Sequence, residues 1–251
     1  MSNGNRLVWN SGFGKALSER GYAVIAVDLR HHGRSKSPED LLNENAAVPG
    51  APKKTTGSIK KDDYIAMMTQ DMEAVKEFIY EQHQDEMLNM RKMAIVGVEM
   101  SAPVAINYTA FDWLKKPHPD GPTLETRTPR GQDVQALILI SPDSSLPGVT
   151  TTAALRGIRV LPISTLVCVG DKDTLDKGQA KRMFDQMGGN LPKQDGDTRG
   201  MFYQEYPVKL RGTDLLGKNL RIEVHIIGFL EEHLGKLETE WRDRRSKLEK
   251  K

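Results

Sequence analysis

Short runs of consecutive apolar residues alternate with longer stretches of helical periodicity along most of the chain. The runs at 23–28, 93–98, 134–140 and 163–169 are rich in β-branched residues and almost wholly apolar. Such runs are typical of strands that are buried on both faces of a sheet. A fifth run, at 202–208, alternates and also predicts a strand. Buried strands separated by helices predict right-handed crossovers and a mainly parallel sheet.

Apolar residues recur at intervals of three and four between these runs, which predicts helices. The predicted helices span 12–20, 63–82, 102–114, 176–188 and 215–237. The polar stretches at 36–62 and 115–133 predict surface loops. We therefore expect one α/β domain over residues 1–237. The charged tail at 238–251 is expected to be a solvated helix end.

Composition excludes several classes of partner. The 36 lysines and arginines and the 34 aspartates and glutamates are interspersed and leave a net charge of +2, so we predict no nucleic-acid partner. No apolar run reaches 18 residues, which predicts no membrane span. The single cysteine, Cys168, lies in an apolar run and is expected to be buried. It permits no internal disulfide, which is compatible with the cytoplasmic location that we expect.

Three local patterns follow predicted strands, at the edge of a parallel sheet where function gathers. They are Asp28-Leu29-Arg30-His31-His32-Gly33-Arg34-Ser35, Gly97-Val98-Glu99-Met100-Ser101 and Gly170-Asp171-Lys172-Asp173. In this order they resemble the α/β-hydrolase family, in particular the bacterial serine hydrolases and esterases. The first pattern departs from the family's Asp-x-Arg-Gly-His-Gly-x-Ser by one histidine. The resemblance implies an α/β-hydrolase fold with helices on both faces of the sheet.

The same resemblance places this chain's residues in the positions of a catalytic triad. Glu99 stands at the apex of the nucleophile elbow, Asp173 at the acid and Arg211 at the base. Glutamate has no hydroxyl or thiol on which an acyl-enzyme can form. Arginine keeps its proton at ordinary pH, so it cannot be a general base. We therefore predict a degenerate member that has lost the serine-hydrolase reaction, and its status as an enzyme stays open.

The two substitutions are of opposite charge, which suggests a contact between them. We predict an ion pair between Glu99 and Arg211, with Asp173 as a second acceptor, because a guanidinium can bind two carboxylates. In the alternative, Glu99 points to solvent and Arg211 is an ordinary surface residue.

The start of the chain departs from the family as well. By resemblance, the oxyanion-hole donors are the backbone N–H groups of Met1 and Met100. Residues 1–9 resemble what directly follows an early strand of the family. We therefore expect an N-terminally shortened sheet that lacks its first strands and leaves an apolar strand with an open edge. In the alternative, Met1 is the true start and the sheet is smaller.

Other catalytic arrangements are less well supported by the sequence. Glu99 as a carboxylate nucleophile needs a base, which His31 or His32 would supply from a neighbouring loop. Ser101 is a second candidate nucleophile, but we expect it to cap the following helix. His225 and His233 are expected to be half-buried helix residues. The strand-end carboxylates lack the spacing of a metal site, so we predict neither metal nor cofactor; they are Asp28, Asp143, Asp171 and Asp173.

Three functional hypotheses remain. The first is a non-catalytic binding or scaffold protein, whose pocket is shallow and open because residues 141–162 hold no long cap insertion. That pocket would take a small-molecule ligand, while a protein partner stays unknown. The second is an active hydrolase of small esters, amides or thioesters with an unusual site. The third is a truncated paralogue without function.

Overall fold

A computed structural model describes residues 12–37, 59–192 and 198–249. Its centre is a four-stranded parallel sheet in the order β1-β2-β5-β6. The strands are β1 (Met93–Val98), β2 (Val134–Ile140), β5 (Ser164–Gly170) and β6 (Met201–Tyr206). Two short strands, β3 (Ser145–Leu146) and β4 (Val149–Thr150), form an antiparallel hairpin between β2 and β5. The predicted parallel sheet is confirmed.

Seven α-helices accompany the strands in the described residues. They are α1 (Phe13–Ser18), α2 (Lys61–Ala66), α3 (Met72–Gln84), α4 (Ala102–Leu114), α5 (Thr152–Ile158), α6 (Gln179–Gln186) and α7 (Ile222–Leu230). A π-helical turn, Met67–Asp71, joins α2 to α3, and another, Glu231–Gly235, extends α7. Short 3-10 turns span Glu99–Ser101, Leu124–Thr126 and Gly212–Leu215.

The predicted helices are all present, but several boundaries differ. The helix predicted at 215–237 begins only at Ile222, because Arg221 before it has a φ of 63°, which is incompatible with a continuous helix. The helix predicted at 176–188 is confined to Gln179–Gln186. Most of the predicted loop at 36–62 lies outside the described residues.

The core lies on both faces of the central strands. On β2, Leu137 and Leu139 pack in the cluster that includes α4, α5 and α6, whereas Ile138 and Ile140 pack in the cluster that includes α1 and α7. All four side chains are fully buried. Because successive residues of a strand point to opposite faces, an unbroken apolar run is what a sheet covered on both sides requires.

The strand predicted at 23–28 is wrong. Residues 22–29 contain no helix, turn or bend, but they pair with no described strand. Val24, Ile25 and Val27 are 41%, 42% and 36% exposed. A cavity lies between this segment and β1, so neither provides the other with hydrogen-bonding partners. Among the described residues, β1 pairs on one side only, with β2.

The prediction of a solvated helical tail is also wrong. The chain beyond Leu237 has no helix up to residue 249, and Arg244 and Ser246 are buried. Arg244 donates through Nη2 to Asp133 Oδ2 at 2.9 Å, and Lys76 Nζ lies 2.7 Å from the same oxygen. Trp241 Nε1 donates to the carbonyl of His83 at 2.6 Å. The tail is held against the domain because it supplies a cation to a buried carboxylate.

Substituting Arg244→Met should destabilise the protein by about 3 kcal/mol, because removing one partner of a buried ion pair leaves a poorly compensated charge. Urea unfolding monitored by circular dichroism measures this change. Arg245→Met is the matched control, since Arg245 is exposed and its ion pair is with the nearby Asp243. Equal midpoints for the two variants would contradict the assigned role of the tail.

Candidate functional site

The sharp connection from β1 to α4 presents Glu99 at its apex. Glu99 has a φ of 46°, in the left-handed region that residues other than glycine seldom adopt. A Cβ on Gly97 would lie 2.7 Å from Ala102 Cα, so only glycine fits beneath the turn. The Ser101 hydroxyl accepts from the Val98 N–H at 2.8 Å and donates to the Val98 carbonyl at 2.9 Å. Ser101 stands at the N-cap position of α4, as predicted, but its hydroxyl closes the turn and makes no capping hydrogen bond to the helix.

Arg211 lies in the segment that follows β6, and the next residue fixes its position. Gly212 donates its backbone N–H to Ser141 Oγ at 2.9 Å. Ser141 is fully buried at the end of β2. A Cβ on Gly212 would lie 2.5 Å from Glu99 Cδ, so glycine permits this close approach. These contacts of Gly212 hold the segment after β6 against the β1–α4 turn.

The Arg211 guanidinium contacts three carboxylates from three different strand ends. Its Nε lies 3.3 Å from Glu99 Oε1. Its Nη1 donates to Asp173 Oδ2 at 2.6 Å, and its Nη2 donates to Asp143 Oδ1 at 2.5 Å. The predicted ion pair and its predicted second acceptor are both present. The alternative, in which Glu99 points to solvent and Arg211 is an ordinary surface residue, is wrong. We call these four side chains the Arg211 cluster.

Asp143 was missed as a partner of Arg211. The sequence placed it only among the carboxylates near strand ends. A signal was nevertheless available, because Asp143 follows β2, and β2 lies between β1 and β5 in the sheet. Parallel strands bring their carboxyl ends to one edge of the sheet. Asp143, which follows β2, is therefore expected between Glu99 after β1 and Asp173 after β5.

The cluster is partly shielded from water. The Asp173 side chain is 3% exposed and that of Arg211 15%, whereas Glu99 and Asp143 are 24% and 38% exposed. Burial lowers the pKa of Arg211, but the hydrogen bond and charge of Asp173, with the charges of Asp143 and Glu99, outweigh it and raise that pKa. Three carboxylates around one guanidinium leave a formal charge of −2.

The histidines considered as bases make contacts of other kinds. His31 Nε2 lies 3.4 Å from Asp63 Oδ1, and His32 Nδ1 lies 2.8 Å from the carbonyl of Arg30. His225 Nδ1 lies 2.9 Å from the Tyr206 hydroxyl. His225 and His233 are half-buried in the last helical segment, as predicted. Each of these contacts is with a group other than the Glu99 carboxylate.

The contacts of the turn at 28–35 are structural ones. A Cβ on Gly33 would lie 2.3 Å from Asp28 Cγ, and Asp28 accepts from the Arg34 N–H at 3.1 Å. Arg30 is bound to Asp71, with Nη2 donating to Oδ1 at 2.7 Å and the backbone N–H to Oδ2 at 3.0 Å. The motif thus fastens this turn to the π-helical turn before α3.

The remaining predicted site residues are accounted for as follows. Met100 directly follows the apex in the 3-10 turn, while Met1 lies outside the described residues. Cys168 is fully buried, as predicted, and burial raises the pKa of its thiol to about 12. In the described ranges, no three or more His, Cys, Asp and Glu side chains are grouped to hold a metal ion.

Comparisons of this chain with models of protein families, with curated proteins and with solved structures gave no match. Among the described residues, no helix combines the length and apolarity that crossing a membrane requires.

Replacing Gly97 by alanine should destabilise the protein by about 1–3 kcal/mol, because the added methyl group meets the backbone of α4 rather than a flexible side chain. Gly157→Ala is the control, since a Cβ there meets nothing within 4 Å and lies in the helix α5. That control should be neutral or slightly stabilising. Thermal unfolding of the parent and of both variants measures these changes in stability. An unchanged midpoint for Gly97→Ala would show that the turn is not tightly packed.

Replacing Arg211 by glutamine should destabilise the fold at pH 7 by about 3 kcal/mol, because three neighbouring carboxylates lose their cation. Mutual repulsion then raises their pKa values in the folded state above those of the unfolded chain. The destabilisation should accordingly shrink as the pH falls towards 4 and the carboxylates take up protons. Arg211→Lys should destabilise the fold less than Arg211→Gln does, since it keeps the positive charge but one ammonium cannot bridge three carboxylates. A pH-independent difference, measured by urea titrations from pH 4 to 8, would argue against this electrostatic role.

Proposed function

We propose that this protein is an α/β-hydrolase-like protein that does not carry out serine-hydrolase catalysis and acts as a binding or scaffold module. The single observation that carries this proposal is the Arg211 cluster. At the place where a triad would assemble, a guanidinium is bound by Glu99, Asp143 and Asp173.

The family assignment is supported by where the three triad-equivalent residues stand. Glu99 follows β1, Asp173 follows β5 and Arg211 follows β6. These strands belong to one parallel sheet, with β2 between β1 and β5. The left-handed backbone at Glu99 and the need for glycine at position 97 are what a nucleophile elbow requires.

The absence of serine-hydrolase chemistry is argued from the groups present. Attack on an ester needs a nucleophile that a base can activate, and the following step needs a base that activates water. The raised pKa of Arg211 keeps its proton in place, so it fills neither role. Its three hydrogen-bonding edges are occupied by carboxylates, which also leaves little capacity to bind an anionic substrate.

The cluster instead suits a structural task. Its ion pairs link the carboxyl ends of β1, β2 and β5 to the segment after β6. A protein that replaces its reacting groups by such a link keeps the architecture without the reaction. We infer that the architecture serves recognition, because a fold can carry functions other than the catalysis of its relatives.

Hydrolysis of p-nitrophenyl acetate by the purified protein tests the proposal. We expect no turnover above the buffer blank for the parent. The double variant Glu99→Ser plus Arg211→His places a hydroxyl, an imidazole and Asp173 in the three positions, and we expect measurable turnover from it. Adding Asp173→Asn to the double variant should lower that turnover, because the imidazole loses the group that orients it.

Turnover by the parent that Glu99→Gln abolishes would overturn the proposal, since the carboxylate would then be a working catalytic group. Thermal unfolding of every variant provides the control that each one is folded. An unfolded parent without a cooperative transition would instead favour the truncated paralogue.

A further inference from the structure

The residues just before β1 pack against the C-terminal tail. His83 of α3 lies between the two segments: its Nδ1 accepts from the Met90 N–H at 3.3 Å, and its Nε2 lies 2.8 Å from the carbonyl oxygen of Arg242. Two further hydrogen bonds link these stretches of the chain, from Asn89 Nδ2 to the Thr239 carbonyl at 3.0 Å and from Lys92 Nζ to the Gly235 carbonyl at 3.2 Å. Arg91, which follows Met90, is therefore brought near Arg242.

Neither of these two arginines has an anionic partner. In the ranges that the structure describes, no carboxylate lies within ion-pairing distance of the Arg91 or the Arg242 guanidinium, and neither guanidinium donates to a protein acceptor. Arg91 is half-buried and Arg242 is exposed. A guanidinium carries five N–H donors, and partial burial removes water that would otherwise accept from them. The donors of these two side chains are therefore available to a ligand.

The electrostatic environment of Arg91 favours an anion. Burial lowers the pKa of Arg91, and the positive charges of Arg242 and Arg244 lower it further, whereas Asp133 and Glu240 act in the opposite direction. Charges that act on one another in this way lie close together, because Coulomb interactions weaken with distance. An anion bound between Arg91 and Arg242 would offset their mutual repulsion.

Arg244 is not available to such an anion, because it belongs to a buried group of charges that neutralise one another. Its Nη1 lies 2.9 Å from Asp133 Oδ1, and Lys76 Nζ lies 2.7 Å from Asp133 Oδ2. Lys76 also pairs with Asp112, so two cations face two anions in this group. The positive charge that remains uncompensated is that of Arg91 and Arg242.

The chemistry of the two side chains selects the kind of anion. A planar guanidinium binds a phosphate through two parallel N–H···O bonds, and two such groups match an anion with several oxygens and two negative charges. A carboxylate carries a single negative charge and would leave one arginine uncompensated. A phosphoryl group carries nearly two negative charges at neutral pH, so it suits both arginines.

We propose that Arg91 and Arg242 bind the phosphoryl group of a small molecule, either free phosphate or a phosphate monoester. We call these two side chains the arginine pair. Arg91 precedes β1, so the pair lies at the amino edge of the sheet, whereas the Arg211 cluster lies at the carboxyl edge. The proposal is therefore independent of the proposed function. Because Arg242 belongs to the tail, the site is complete only while Arg244 holds the tail in place.

Isothermal titration calorimetry of the full chain with inorganic phosphate, at pH 7.5 and constant ionic strength in sodium chloride, tests this proposal. We expect saturable binding. Arg91→Met and Arg242→Met should each weaken it by about tenfold or more, because each removes charge-assisted hydrogen bonds to the anion. Arg91→Lys should weaken binding less than Arg91→Met does, since it keeps the charge and loses the planar fork. Arg182→Met is the matched control and should bind like the parent, because Arg182 is an exposed arginine on α6.

Nuclear magnetic resonance locates the bound phosphate. The Nε–H signals of Arg91 and Arg242 are assigned by their loss in the two methionine variants. We expect both signals to shift as phosphate is added, with no shift of the Arg182 signal. Thermal unfolding checks that each variant is folded, and Arg242→Met should fold like the parent because its side chain is exposed.

A second titration, with glycerol 3-phosphate, distinguishes the two sources of the phosphoryl group. Tighter binding of the monoester than of inorganic phosphate would support a monoester as the ligand, and the reverse order would support free phosphate. Two results would overturn the proposal. Equal affinity for phosphate and acetate would show that the site does not select a phosphoryl group. Unchanged affinity for phosphate in both folded methionine variants would show that the arginine pair does not bind it.

Discussion

The structure depends on a guanidinium held by three carboxylates where strand ends converge. Arg211 connects residues that follow β1, β2 and β5, and it lies in the segment after β6. Carboxylates brought together at one edge of a sheet repel each other, and a half-buried edge screens that repulsion poorly. The planar guanidinium of Arg211 offsets this repulsion and, by binding all three carboxylates, fixes their relative positions at the edge.

A second constraint comes from the hydrogen bonding of the sheet itself. The central strands β2 and β5 have neighbours on both sides and are almost wholly buried, whereas β1 has one described neighbour and is mostly half-buried. The segment at 22–29 has an apolar composition like that of a strand, but it forms no ladder with any described strand. Buried backbone N–H and C=O groups need hydrogen-bonding partners. This requirement is consistent with the closely packed central strands and with the cavity beside β1.

Much of the fold was predictable because its signals are local. The four strands of the sheet and the approximate positions of the helices follow from apolar runs and helical periodicity, which depend on residues close in sequence. The charges of Glu99 and Arg211, at positions singled out by motif spacing, also predicted their contact. Glu99 and Arg211 are far apart in sequence. Their ion pair was still predictable, because parallel strands bring their carboxyl ends together and the two side chains there have opposite charges.

By itself, the sequence determined the parallel sheet, the turn that needs glycine at position 97, and the opposite charges of Glu99 and Arg211. Only the tertiary structure decided that residues 23–27 pair with no described strand, that Asp143 joins Arg211, and that Arg244 docks the tail. The physical reason is the same in each case. An apolar run becomes a strand only beside a partner, and a charged side chain becomes buried only beside its counter-charge, so both outcomes depend on residues far away in sequence.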